Sequence, residues 1–293
     1  TPKQAADGET LERMIDHYRE LLDQSGHGLM AEGCRASAAE VVAHAVRLGV
    51  VERIEHPLGD LLRAPADQAA LLAYFRNNVL HLVALPALLA CLMARNPRLE
   101  RRRVEAALVR LHVLLRSELF LRCPALEVPT AISAALSLLV SRGLLRLREE
   151  ELLAPEPSSR EFAELQLLGQ TMRPTLERYL LILSLLQQQG SGVLGRKSLE
   201  ESSHLLAQRL ALLYAFNGPE VAEKGVFSQV VANLLGAGLL REDEDGRLWF
   251  DERITAPAAD AELLLTEEVR QTIRRTAGAG AVQEPVAAGQ GIT

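Results

Sequence analysis

Tryptophan occurs once in the 293 residues, and the aromatics together reach only 4%. Leucine and alanine are abundant instead, and that balance favours helices over sheets. Cysteine is also scarce. Cys34, Cys91 and Cys123 are odd in number and far apart, which excludes a disulfide framework and reads as free thiols in a reducing compartment. No Cys or His pair stands at ligand spacing with a second pair to match, so no metal is expected. A basic excess is missing as well. The net charge of −6 argues against a nucleic-acid partner. Residues 1–10 are polar and carry no apolar stretch of the kind a signal peptide needs. No Gly-x-Ser-x-Gly, no Gly-x-Gly-x-x-Gly after a strand and no phosphate loop occurs, and no cofactor is expected.

What the chain does have is a long apolar stretch at residues 71–94, LLAYFRNNVLHLVALPALLACLMA. At 100° per residue, Tyr74, Asn77, Asn78 and His81 share one arc, with Leu72, Phe75, Val79, Leu80 and Val83 opposite. Arg76 falls inside the apolar arc, where a guanidinium calls for a carboxylate from another helix. After His81 the polar stripe ends. A helix apolar all round is buried in protein or lies against lipid. We therefore expect a central helix here, kinked at Pro86, which lacks the donor its turn requires. The polar opening reads most simply as a satisfied packing network, with a contact surface for another domain as the alternative. The uninterrupted run from Val79 is shorter than the roughly 20 residues needed to span a bilayer. The arginines that follow, Arg95, Arg98 and 101–103, leave shallow contact with anionic lipid open over 79–103.

Taken in order, residues 1–9 read as frayed, 11–24 as a helix and 27–33 as a loop. Residues 37–48 read as a helix opened by a Ser37/Glu40 capping box and stopped by Gly49. Short strands follow near 50–54 and 60–63. The pattern recurs. A helix at 130–142 stops at Gly143 before two short strands. A helix at 228–237 stops at Gly238 before a hairpin at 239–251, marked by Asp245-Gly246. Long apolar helices with internal prolines occupy 68–95 and 161–189. Amphipathic helices occupy 101–121 and 197–216. The expected fold is mainly α, a multi-helix bundle of about three repeated helix–helix–β-hairpin units. Residues 1–100 form the first repeat with the central helix 71–94, 101–196 the second and 197–277 the third. Residues 278–293 form a disordered tail. Such units read like winged helices, which often bind DNA through the helix before the wing. Here those helices are almost wholly apolar and lack the Arg, Lys, Asn and Gln of a recognition helix. They read as packing modules.

Two weaker features remain. Gly190-Ser191-Gly192 with Gly195-Arg196-Lys197 could hold an anion ahead of a helix, although a plain interhelix loop is the simpler reading. His56 and Asp60 flank a Pro-Gly turn with nothing else an acid–base site needs.

Four stretches carry a resemblance: LLAYFRNNVLHLVALPALLA (71–90), LQLLGQTMRPTLERYLLILSLL (165–186), AQRLALLYAFNGPEVAEKGVFSQVVANLLGAGLL (207–240) and LTEEVRQTI (265–273). Together they resemble the C-terminal region of the membrane-associated bacterial glycerol-3-phosphate 1-O-acyltransferases, over nearly all of the chain before the tail. The Tyr-Phe-Arg-Asn-Asn-x-x-x-His opening at 74–81 is the most specific piece. The resemblance implies transfer of a fatty acyl group from acyl carrier protein or coenzyme A to the sn-1 hydroxyl of glycerol 3-phosphate. It also implies a peripheral location at the cytoplasmic face of the inner membrane, in phospholipid synthesis.

The family's catalysis lies in a preceding domain with a His-x-x-x-x-Asp box, where the His is the general base. None of the seven histidines here has Asp five positions on. No catalytic residue carries over, and the chain alone is expected to be inactive. Its expected partner is that preceding acyltransferase domain, met through Tyr74, Arg76, Asn77, Asn78 and His81. A non-catalytic scaffold for protein or lipid interaction is the alternative.

Overall fold

The computed structural model describes residues 5–24, 36–119, 121, 124, 126–214, 224–264 and 267–279. It is mainly helical, with three small sheets among the described residues. Strand β1 (Ala5–Asp7) leads into helix α1 (Gly8–Gln24), and then come α2 (Ala38–Arg47) and the hairpin β2 (Glu52–Ile54) and β3 (Leu61–Arg63). The long helix α3 (Ala69–Arg95) follows. Strand β4 (Arg98–Glu100), helices α4 (Arg101–Leu115) and α5 (Val128–Ser141), and the hairpin β5 (Arg146–Arg148) and β6 (Glu151–Leu153) repeat that order. The second long helix, α6 (Arg160–Gln189), comes next. The remainder is α7 (Arg196–Tyr214), α8 (Lys224–Gly236), β7 (Arg241–Glu242), β8 (Leu248–Trp249), α9 (Glu252–Glu262) and α10 (Glu267–Ala279).

The expected capping box opens α2. Ser37 Oγ accepts from Glu40 N at 3.3 Å, and Glu40 Oε2 accepts from Ser37 N at 2.7 Å. Each expected glycine stop has the same hydrogen bonds. Gly49 N donates to Val46 O and Val50 N to Ala45 O; Gly143 N donates to Val140 O and Leu144 N to Leu139 O; Gly238 N donates to Leu235 O and Leu239 N to Leu234 O. This is the Schellman arrangement, which needs a left-handed residue after the helix. The three glycines supply it, with φ of 71°, 71° and 68°. The third hairpin turns through 243–246, with Gly246 N donating to Asp243 O at 3.0 Å and Asp243 N to Arg247 O at 3.0 Å, so Asp245-Gly246 does mark a turn.

Two strands escape the sequence reading. Residues 5–7, expected to fray, pair antiparallel with β3, giving the sheet order β1-β3-β2. Residues 98–100 pair with β6, giving β4-β6-β5. A three-residue edge strand is held by backbone bonds to its neighbour, so side-chain periodicity carries too little of it to be read. In the third place where this order occurs, Gly195 makes an isolated antiparallel bridge to Arg247 just before α7.

The core is a pair of helices rather than one. From Ala87 to Met93 every side chain of α3 is buried, and α6 is buried without interruption from Thr175 to Leu183. Both stretches are apolar round most of the wheel, and only enclosure by protein satisfies that pattern in water. Pro86 lies within α3, which continues to Arg95. Helices α4 and α5 pack on α3, while α7, α8, α9 and α10 pack on α6. The two long helices meet at Gly169. A Cβ built there would stand 2.8 Å from both Cα and N of Cys91, and 3.1 Å from the carbonyl carbon of Ala90. Of the tail expected at 278–293, Gly278 and Ala279 instead close α10. The rest of that tail, the loop at 27–33, Cys34 and Cys123 lie outside the described residues.

Gly169→Ala should destabilise the protein by about 1–3 kcal/mol, because a methyl group would force two backbones apart. Gly225→Ala, where a Cβ meets nothing within 4 Å, should leave stability unchanged or raise it by up to about 1 kcal/mol. Urea unfolding of both variants beside the parent checks the pair.

Candidate functional site

The first three turns of α3 are its least covered part. Tyr74 is 62% exposed, and Asn77, Asn78 and His81 are exposed beside it. They are a surface cluster rather than the buried network that the sequence favoured. The apolar arc is only partly an inward one. Leu80 and Val83 are buried, but Phe75 is 56% and Val79 52% exposed. A helical wheel shows which side chains could be buried together; whether another element reaches far enough to cover them is a tertiary fact. Arg76 is half-buried on the inward side, and its Nε and Nη2 donate to Asn77 Oδ1 at 3.3 and 3.1 Å. The Tyr74 and Phe75 rings meet edge to face with centroids 5.7 Å apart.

The charged groups that sequence reasoning missed lie deeper. On α6, Arg173 Nε donates to Glu177 Oε1 at 2.5 Å, and Arg178 Nη2 donates to Glu118 Oε1 at 2.6 Å. The Arg178 side chain is only 7% exposed. Tyr179, fully buried, accepts from Asn233 Nδ2 at 3.1 Å across to α8. The i, i+4 spacing of Arg173 and Glu177 was the one visible signal; Glu118 comes from 60 residues away. Another missed pair, Arg110 with Asp260, ties α4 to α9.

At the junction of α1, α5 and α6, the buried ring of His17 accepts at Nδ1 from Arg142 Nη2, 3.2 Å away. That bond requires the neutral imidazole. Burial pushes the His17 pKa below its ordinary 6.5 and the Arg142 guanidinium adds to this, against the opposing pull of Glu164 and Glu20. Arg142 also donates to Glu20 at 3.1 Å and Gln24 at 3.4 Å. These residues, with Ser137 and Ser141, line an open groove of about 810 Å³. The groove's cation is thus engaged by its own walls. His112 is buried too, with its pKa lowered by burial and then by Arg116.

None of these arrangements joins a nucleophile to a base. Ser203 and His204 are both buried, but adjacent residues of α7 point about 100° apart, and His204 Nε2 faces Gln208 Nε2 at 3.0 Å. Burial pushes the Cys91 thiol up to about 12, which removes it as a thiolate nucleophile. Among the described residues no group of three or more His, Cys, Asp or Glu could hold a metal ion. The glycine loop at 190–197 is bound to the third hairpin: Gly192 N donates to Leu248 O at 2.9 Å, and Ser191 Oγ both donates to Phe250 O at 2.9 Å and accepts from Phe250 N at 2.8 Å. Through Gly192 N and Ser191 Oγ the loop works as a clasp on that hairpin. At the His56 turn, Nδ1 accepts from Leu58 N at 3.2 Å, while Asp60 accepts from Arg53 at 3.1 Å. These are exposed bonds that shape the turn.

The geometry therefore defines a class: a helical module with a buried two-helix axis, polar clusters that bind its own helices together and, among the described residues, an uncovered opening of α3. Comparison with known families makes this specific. The family described as glycerol-3-phosphate acyltransferase C-terminal region matches residues 1–243, and the chain belongs to that family. A glycerol-3-phosphate acyltransferase of Pseudomonas savastanoi pv. phaseolicola is 34% identical over 281 residues, covering 94% of this chain and 33% of the relative. One from Xylella fastidiosa (strain M12) is 35% identical over 283 residues, covering 94% of this chain and 32% of the relative. The chain spans about a third of the length of the curated relatives it matches.

Two outcomes follow from the buried groups. A base with a depressed pKa stays neutral in the folded protein while the unfolded chain takes up the proton. Its contribution to stability is full above about pH 6.5 and is lost as the pH falls below that. The surface carboxylates with lowered pKa, Asp7, Asp243 and Asp251 with an ordinary value of 3.8 and Glu40 with an ordinary value of 4.5, lie below this window. Between pH 7 and 5 the fall in unfolding free energy should therefore shrink in His17→Gln and shrink again in His17→Gln/His112→Gln, by urea titration at each pH. Separately, Glu118→Ala should destabilise by about 3–5 kcal/mol by stripping Arg178 of a buried carboxylate, and Glu118→Ala/Arg178→Met by less than that. Thermal or urea unfolding that ranks the double variant below the single one would contradict this.

Proposed function

We propose that this chain is the C-terminal accessory region of an acyltransferase that moves a fatty acyl group from acyl carrier protein or acyl-coenzyme A to the sn-1 hydroxyl of glycerol 3-phosphate. The supporting observation is the family match across most of the chain, at a third of the relatives' length. The chemistry points the same way. A general base must reach its substrate's proton; His17 and His112 are buried, and none of the seven histidines has the Asp partner five positions on that the resemblance calls for. In this reading the proton-moving residues belong to the preceding acyltransferase domain, which is the chain's partner and through which the acyl donor and glycerol 3-phosphate are met. Phospholipid synthesis at the cytoplasmic face of the bacterial inner membrane is the setting, with peripheral attachment. The three glycine-stopped helices and their hairpins are, in the same reading, copies of one winged-helix-like packing unit within 1–100, 101–196 and 197–277. The shared strand order and shared stop bonds support this.

A lipid-contacting role is the second reading. It is favoured by residues Leu71–Arg95, which are long and apolar enough to cross a membrane by length and composition alone. Against it, 61% of the apolar 18-residue window within that helix is buried inside the protein, as expected of a core helix.

An assay of the purified chain with radiolabelled glycerol 3-phosphate and palmitoyl-coenzyme A should give no product above the blank. An acyltransferase carrying the chain should be active, and deletion of the chain should abolish that activity. Turnover by the chain alone would place a working base within it and sink the accessory reading.

A further inference from the structure

The opening of α3 presents an exposed arc about 200° wide on the helical wheel. Apolar side chains form one edge of it, with Leu71 43%, Phe75 56% and Val79 52% exposed at i, i+4 and i+8. Tyr74, Asn78 and His81 form the other edge, all exposed. No Lys, Arg, Asp or Glu falls on the arc, since Arg76 lies on the inward side. A stripe of aromatic and aliphatic groups bordered by neutral hydrogen-bonding groups has the composition of an interface centre, where charged residues are depleted and Tyr and Phe enriched. An exposed patch of this kind marks an interaction site. Its two-edged form suits a helix lying in a groove, read through i, i+4 and i+8 anchors.

We propose that this arc is the surface on which the acyltransferase domain preceding the chain docks, taking the first three turns of α3 into an apolar groove with acceptors and donors along one wall. The proposal rests on the accessory reading above. Two observations favour this occupant. About two thirds of each relative's length lies outside the match, which is ample for a folded domain with such a groove. A membrane surface is disfavoured by charge: the arc offers no cation to anionic headgroups, and Asp67 stands at the turn before it.

The test uses a full-length acyltransferase carrying this chain. Phe75→Asp and Val79→Asp should each reduce specific activity at least tenfold at parental yield, whereas Leu58→Asp and Leu126→Asp, at positions 91% and 94% exposed elsewhere, should stay within twofold. Thermal melting of the isolated chain should be the same with and without Phe75→Asp, so that a loss of activity reads docking and not folding. Amide exchange over 72–81 should be at least tenfold slower in the full-length protein than in the isolated chain. Equal exchange rates together with parental activity in Phe75→Asp would overturn the proposal. Slowing that occurs only on adding phosphatidylglycerol vesicles would overturn it in favour of a lipid surface. A full-length protein that shows slowed exchange yet no acyl transfer would remove the accessory reading while leaving the docking surface standing.

Discussion

The close approach of α3 and α6 at Gly169 is the constraint on which the rest depends. With hydrogen in place of a side chain, the backbone of one helix rests against Ala90 and Cys91 of the other. That proximity lets the two most apolar stretches in the chain cover one another, and the outer helices can then close over both. It also explains why charge is tolerated deep in α6. Once a helix is enclosed all round, any ionisable group on it must find its counterpart nearby, and Arg178 does so with Glu118 while Arg173 does so with Glu177. The polar groups at the centre thus follow from how tightly the apolar groups pack.

Much of the local structure was legible in the sequence because its signals are local. The Ser37/Glu40 cap, the glycine stops and the Asp245-Gly246 turn each depend on residues within a few positions, and each stands where the residues indicate. The long helices were legible from length and periodicity. What escaped was settled between distant segments. Strands β1 and β4 exist because β3 and β6 offer them backbone partners, and the pairing of Glu118 with Arg178 joins groups with no common pattern. A reading centred on one long helix likewise missed that α6 is enclosed as fully as α3.

The α3 opening shows where such reading goes astray in an instructive way. Its wheel separates apolar from polar side chains, and in an ordinary globular helix the apolar side would face the core. Here Phe75 and Val79 face out along with Asn78 and His81. A sequence records that a surface wants company; it does not record which element supplies it. The same limit applies to chemistry. Histidine is present in fair number, but burial pushes the His17 and His112 rings toward the neutral form, and the Gly-rich loop binds a hairpin through Gly192 N and Ser191 Oγ.

The lone Trp249 sits against that loop. Its Nε1 donates to Asp243 Oδ2 at 2.7 Å, and its ring lies so close to Gly192 that a Cβ there would fall 2.6 Å from it. Tryptophan emission, excited selectively over the four tyrosines, is consequently a local instrument, reporting on the third hairpin and its clasp rather than on the α3–α6 crossing. Emission and far-ultraviolet dichroism would trace the same curve only if the molecule comes apart as one cooperative body. An early spectral shift of the indole would instead mark the third hairpin as a separately melting patch.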